Sequence, residues 1–165
     1  MTCRVAIDVT QANDPRRTGI GRVVEEMLHS IAWLLERGRW PAEPPTLLSA
    51  WPFRWAGDLE ERLKIAGVRC EVLPARSMYV YRATRLAAWT LRQRPDLLFV
   101  PEPIHPGLLG GARLAVMHYD LITRHHPSAA SRHIRLLYRW LQLPTLRRAH
   151  RVGVDSAHVL RETAR

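Results

Sequence analysis

Lysine is nearly absent from this chain: of its 25 basic residues only Lys64 is a lysine, and the rest are arginine. Such a skew reads as the codon bias of a GC-rich bacterial genome rather than as a grip on DNA, even at a net charge of +10. RNA-recognition signatures, zinc-finger spacing and a basic zipper are missing too, so nucleic acid is not expected as a partner. Cysteine is scarce. Cys3 and Cys70 both fall in or beside apolar strand candidates, which suits buried small hydrophobes in a reducing compartment and not a disulfide framework. No apolar run approaches the roughly 18 residues of a membrane helix. The start, Met1-Thr2-Cys3-Arg4, leads straight into a strand without the apolar core of a secretory signal, so the cytoplasm is the expected location. His125 and His126 have no spaced carboxylate or cysteine beside them, and no metal site is predicted.

What is present suits one folded domain spanning residues 1–165, with 47% apolar residues to fill a core. Strand and helix candidates alternate, the pattern of a parallel sheet covered on both faces. Val5–Val9 reads as a buried strand. Ile20, Val23, Val24, Met27, Leu28, Ile31 and Leu35 then recur at helical spacing. After a Pro-rich linker from Trp40 to Pro45, strands are predicted near Thr46–Trp51, Val68–Leu73, Asp96–Val100, Leu114–Met117 and Arg151–Val154. Helices are predicted over Gly57–Ala66, Met78–Gln93 and about Ala129 to Ala149, the last with a kink or break at Pro144. Ser156 is a plausible N-cap for a final helix beginning at Ala157. The expected fold class is α/β: a single Rossmann-like three-layer domain with a mostly parallel sheet.

Three stretches stand where such a fold gathers ligands, at the carboxyl ends of its strands. The first is Thr18-Gly19-Ile20-Gly21-Arg22, where strand meets helix. Glycines there let the backbone approach a ligand, and the unpaired amides of a first helical turn favour a phosphate. Arg16, Arg17 and Arg22 crowd the same turn. The P-loop pattern is absent, the third glycine of a dinucleotide fingerprint is replaced by Val24, and Trp51-Pro52 stands where a ribose-binding acid belongs. The plainer reading is a tight turn with Thr18 near the helix cap. The second stretch, Met117-His118-Tyr119-Asp120, offers a histidine able to act as acid, base or donor, with an acid to orient it or bind a sugar hydroxyl. Its plainer reading is a core-edge histidine and a capping Asp120. The third, Pro101-Glu102-Pro103-Ile104-His105-Pro106-Gly107, is stiffened by prolines and offers Glu102 and His105 for substrate contact, or else is a rigid turn.

Two apolar features remain. Residues Arg132–Leu143 leave only a narrow polar stripe of Arg132, Arg135, Arg139 and Gln142, so that helix wants cover on several sides, from its own sheet, a second domain or a membrane. Trp51-Pro52-Phe53-Arg54-Trp55 either grips a sugar or lipid, or staples the following helix.

The strand ending Ile7-Asp8 with the Thr18-Gly19-Ile20-Gly21-Arg22 turn resembles the start of many glycosyltransferases of the GT-B fold, group 1 or family 4 type. Val116-Met117-His118-Tyr119-Asp120-Leu121-Ile122 with Pro127 looks like that family's His-Asp-Leu-Ile-Pro segment, although Tyr119 intervenes between the histidine and the acid. Val152-Gly153-Val154-Asp155-Ser156 is similar to its Val-Ser-Glu strand. The resemblance implies one half of a GT-B fold, from a retaining enzyme that moves a sugar from a nucleotide-sugar co-substrate to a glycan or lipid-linked acceptor, with no metal. It implies donor phosphate at the turn of Gly19, Ile20 and Gly21, with Arg22 beside it, and a histidine near the sugar, His118. From their places on the same rim, Asp120 is expected to share the catalytic role and Arg17, Glu102 and His105 to contact the acceptor. The donor's nucleotide would lie on a second half supplied by a C-terminal domain or a partner chain, without which turnover is expected to be poor. Two other readings stand beside it: a glycan- or partner-binding module without catalysis, and a basic adaptor peripheral to the inner face of the plasma membrane, resting on Trp51, Phe53, Trp55 and the Arg132–Leu143 helix.

Overall fold

A computed structural model describes residues 2–16, 18–55, 57–105, 111–119 and 131–163. In chain order come β1 (Val5–Asp8), a 3-10 turn (Thr10–Asn13), α1 (Gly19–Glu36), β2 (Thr46–Ser49), α2 (Leu59–Ile65) and β3 (Arg69–Val72). Next, α3 (Met78–Val80) runs through a π-helical turn (Tyr81–Leu86) into α4 (Ala87–Gln93), followed by β4 (Leu97–Val100) and β5 (Arg113–His118). Last come α5 (Arg132–Leu137), a second π-helical turn (Tyr138–Gln142), α6 (Leu143–Arg148), β6 (Arg151–Val154) and α7 (Ala157–Thr163). The six strands form one sheet in the order β3-β2-β1-β4-β5-β6, and every pairing is parallel. The fold is a Rossmann-like α/β domain.

Strand alternation sorts the core into two layers. Ile7 and Leu47 point to one face and pack with Val24, Leu28, Ile31, Leu59 and Leu63 of α1 and α2. Ala6, Leu48, Leu98, Val100, Leu114 and Val116 point to the other and meet Tyr81, Leu86 and Leu146. Asp8 and His118 share the parity of Ala6 and Val116, so both end their strands on the second face. Parity alone thus brings β1's terminal acid under the π-helical turn.

Where Pro144 predicts a kink or break, the helical run continues from α5 to α6 through the π-helical turn. Pro144 sits in the first turn of α6. Its ring excludes an ordinary bond to the carbonyl four residues back, and the π-helical turn just upstream widens the backbone to absorb this. Two predicted caps are present: Thr18 accepts from the Gly21 amide at 3.1 Å, and Ser156 from the Val159 amide at 3.2 Å. Among the described residues no helix is long and apolar enough to cross a membrane.

The two glycines of the Thr18–Arg22 stretch have different jobs. A Cβ on Gly21 would fall 2.5 Å from the Gln11 carbonyl oxygen, so this glycine lets α1 dock on the 3-10 turn. Gly19 is exposed and meets nothing within 4 Å. We therefore expect Gly21→Ala to lower stability by about 1–3 kcal/mol through overpacking. Gly19→Ala should leave it level or raise it by about 0.5 kcal/mol. Urea unfolding of both variants checks the difference; equal losses would contradict it.

Candidate functional site

Because every strand is parallel, their carboxyl ends make one edge. The strand order turns outward in both directions from the β1–β4 pair, the switch point at whose carboxyl end an open α/β sheet forms its ligand crevice. One lip of the crevice is the start of α1; the other is built from the π-helical turn and the loop after β4.

On the first lip, Thr18 takes the Gly21 amide through its side chain and the Arg22 amide through its carbonyl, at 3.1 and 3.2 Å. Among the described residues nothing accepts from the Gly19 and Ile20 amides, which remain open to an anion. Arg16 is committed elsewhere: its guanidinium forks onto Asp14, with Nε–Oδ1 at 3.1 Å and Nη2–Oδ2 at 2.9 Å. That hydrogen-bonded pairing holds the Asp14 carboxyl below its usual range. Arg22 is exposed and makes no ion pair among the described residues. Arg17 lies outside them.

The second lip centres on a buried arginine. Arg82 Nε donates to Asp8 Oδ2 and its Nη1 to Glu102 Oε2, both at 2.8 Å. The other Asp8 oxygen accepts the Thr10 amide at 3.0 Å. Burial works against the Arg82 charge, but the two carboxylates more than offset it and raise its pKa above the ordinary arginine value. Arg82 Nη2 is enclosed without a hydrogen-bond partner among the described residues. Glu102 keeps 13% of its side chain exposed, and among the described residues its second oxygen accepts no hydrogen bond. Tyr79 and Tyr119 stand near it: burial first, and then the Glu102 charge, raise both phenol pKa values. A carboxylate with two phenols in reach of its charge suits a ligand with hydroxyls to donate and flat apolar faces to stack.

His105 and His118 lie deeper. The His105 amide donates to Thr145 Oγ1 at 2.9 Å, which ties the loop after β4 to α6. Burial foremost, then the Arg82 charge, lowers the His105 pKa to about 4, with Asp8 pulling the other way. His118 is fully enclosed at the end of β5, its Nδ1 3.4 Å from Gln142 Nε2. It shares the carboxyl edge with Gly21, with β4 between their strands. Of Asp8, Arg82, Glu102, His105 and His118, the least enclosed is therefore Glu102. Asp120 lies outside the described residues, as do Leu121, Ile122, His125, His126, Pro127, Pro106 and Gly107. Among the described residues no group of three or more His, Cys, Asp or Glu is placed to hold a metal.

Arg82, Tyr79, Tyr119 and Gln142 are additions that sequence reasoning missed as site residues. Arg82 does carry a signal: with Leu86 and Thr90 it forms a buried stripe at spacing four, and a charge on such a stripe calls for a buried acid opposite. The aromatic cluster splits. Trp51 packs on one core layer, while Phe53 and Trp55, 4.9 Å apart edge to face, pack on the α1–α2 layer. This is the stapling arrangement. A groove of about 430 Å³ lies at the opposite, amino edge, among Arg4, Glu43, Thr46, Arg69, Glu71 and Trp89. It is remote from the crevice, and Arg4 and Glu71 there are already bonded to Asp96 and Trp89.

In comparison with known proteins, no family model matches the chain, and no curated protein matches it either.

The His105 environment fixes a pH dependence. Its folded pKa of about 4 lies below the ordinary 6.5, so the unfolded chain binds the extra proton first as pH falls. The stability from neutral His105 is complete above pH 6.5 and is lost as pH drops toward 4, up to about 3 kcal/mol in all. Urea unfolding at several pH values should show stability falling over this window in the wild type, with a shallower slope in His105→Gln. Parallel slopes would refute the assignment.

Proposed function

We propose that this domain is the acceptor-side half of a retaining glycosyltransferase, which moves a sugar from a nucleotide-sugar to a glycan or lipid-linked hydroxyl. The observation that carries the reading is the division of the crevice into two lips of opposite preference. The α1 lip offers open amides at Gly19 and Ile20 with the Arg22 cation, which suits a diphosphate. The opposite lip carries a carboxylate, Glu102, whose charge is felt by the phenols of Tyr79 and Tyr119, which suits a neutral polyol. Arg82, Asp8 and Glu102 together carry one net negative charge, so a phosphate is disfavoured on that side. Passing a sugar from a phosphate to a hydroxyl needs these two environments next to each other, with the reacting groups held in register.

In this assignment Arg22 and the first turn of α1 hold the diphosphate, and Glu102 accepts a hydrogen bond from the acceptor hydroxyl. The resemblance assigns the catalytic role to His118, enclosed at the end of β5, and to Asp120, while Arg82 positions Glu102. Arg17 is assigned to the acceptor. The resemblance to GT-B glycosyltransferases supplies the reaction class, and in that class a second α/β half grips the nucleotide. The domain alone is therefore a weak binder of both substrates.

Titration of the chain with a panel of uridine- and guanosine-diphosphate sugars and with oligosaccharides, followed by NMR shifts, tests the division of labour. Glu102→Gln should weaken oligosaccharide binding by about 10-fold or more and spare the nucleotide-sugars, since a hydrogen bond to a charged group contributes about 1.5–3 kcal/mol. Arg22→Glu should do the reverse. Saturable oligosaccharide binding with no nucleotide-sugar effect would instead identify a binding module without catalysis. Shifts from neither ligand would remove the proposal.

A further inference from the structure

The helical run from α5 to α6 carries a surface that the crevice does not use. Between Ser131 and His150 the chain has five arginines and no acidic residue. Arg132, Arg135, Leu136 and Arg139 recur at i, i+3, i+4 and i+7, and all are exposed. Beside them Trp140 is 66% exposed and Leu136 48%, and the Arg139 guanidinium lies 5.7 Å from the Trp140 ring centre. Arg147 and Arg148 extend the basic surface by two further turns.

The topology places this face at the carboxyl edge. β6 begins at the amino edge of a parallel sheet, so the helical run that leads to it descends from the carboxyl edge. Gln142 meets His118 at the end of β5, and the His150 amide bonds Leu114 near that strand's start. The stretch from Arg132 to Trp140 thus lies toward the carboxyl edge, on the β5 side.

We propose that this face docks on an anionic lipid bilayer. A protein partner would favour an apolar patch centre depleted of charge. Here exposed Arg135 stands beside Leu136 and exposed Arg139 beside Trp140, and the stretch from Arg132 to Arg148 contains no acid to answer a mixed-charge surface. That pattern suits the headgroup region, where Trp and Leu enter the acyl boundary and arginines extend to lipid phosphates. Among the described residues no helix is long enough to cross, so the contact is peripheral. Trp51, Phe53 and Trp55 are not part of it, since they pack against the core. The contact does not depend on which ligand the crevice takes.

Sedimentation of the full chain with vesicles separates the possibilities. One set is phosphatidylcholine alone; the other is an equal mixture of phosphatidylcholine and phosphatidylglycerol. The chain should pellet with the anionic set and much less with the neutral one. Raising salt toward 1 M should release it, because the screening length falls to about 3 Å. The combined variant Arg132→Glu, Arg135→Glu and Arg139→Glu should melt as the wild type does and bind anionic vesicles at least about tenfold more weakly. Should that variant melt early, Trp140→Glu, at a position 66% exposed, gives the same reading alone. Three results would overturn the proposal: no pelleting with anionic vesicles at low salt, equal pelleting with both sets, or unchanged binding by the folded variants. A wild-type dimer made monomeric by the triple variant, with vesicle binding intact, would identify the face as a protein interface instead.

Discussion

One buried cation organises the carboxyl edge of this domain. Withdrawing a guanidinium from water costs several kcal/mol, and Arg82 is tolerated only because Asp8 and Glu102 each meet it at 2.8 Å. Asp8 ends β1 and Glu102 lies just past the end of β4, the two strands that flank the crevice. The ion chain therefore ties together the chain segments that the topology separates. Buried ion pairs of this kind add little net stability, but removing one member leaves an uncompensated charge. Their contribution here is positional: they hold one carboxylate, whose second oxygen accepts no hydrogen bond among the described residues, on the lip of the crevice.

The π-helical turn makes this geometry possible. Tyr81 and Arg82 are consecutive and both buried, as are Leu86 and Ala87. An α-helix aligns residues three and four apart, whereas the wider turn stacks residues five apart, Tyr81 with Leu86 and Arg82 with Ala87. Burying Tyr81 raises its pKa well above 10, with the nearby Asp8 charge adding to the effect. That pair of large side chains fills the layer over β1 and β4 and seals Asp8 from water.

Much of the architecture was legible in the chain because it follows from local pattern. The apolar period after Ile20, the alternation of short strands with helices, Thr18 and Ser156 at helix starts, and Pro144 in the long helix each have a short-range cause. The site was legible only in part. Glu102, His105 and His118 fall on the carboxyl edge because a parallel sheet puts every strand end there, and sequence order reveals that much. The link from Arg82 to Asp8 joins residues 74 positions apart, so no local spacing records it. The separate roles of the two glycines were also hidden: what constrains Gly21 is the Gln11 carbonyl, a contact set by how the 3-10 turn folds back. Likewise, periodicity in Arg132–Leu143 showed a helix apolar on most sides, but only the packing of Thr145 and Gln142 on the sheet decides which side is left outside.

The account rests on Arg82 holding Glu102 directly, and a double-mutant cycle on Arg82→Met and Glu102→Gln, read by urea unfolding, addresses that bond alone. If the buried guanidinium pins the carboxylate, the two losses are strongly non-additive, with a coupling of about 1–3 kcal/mol. Losses that add to within about 0.5 kcal/mol would mean that the two side chains act independently. The carboxyl edge would then have no fixed carboxylate on which to build a site.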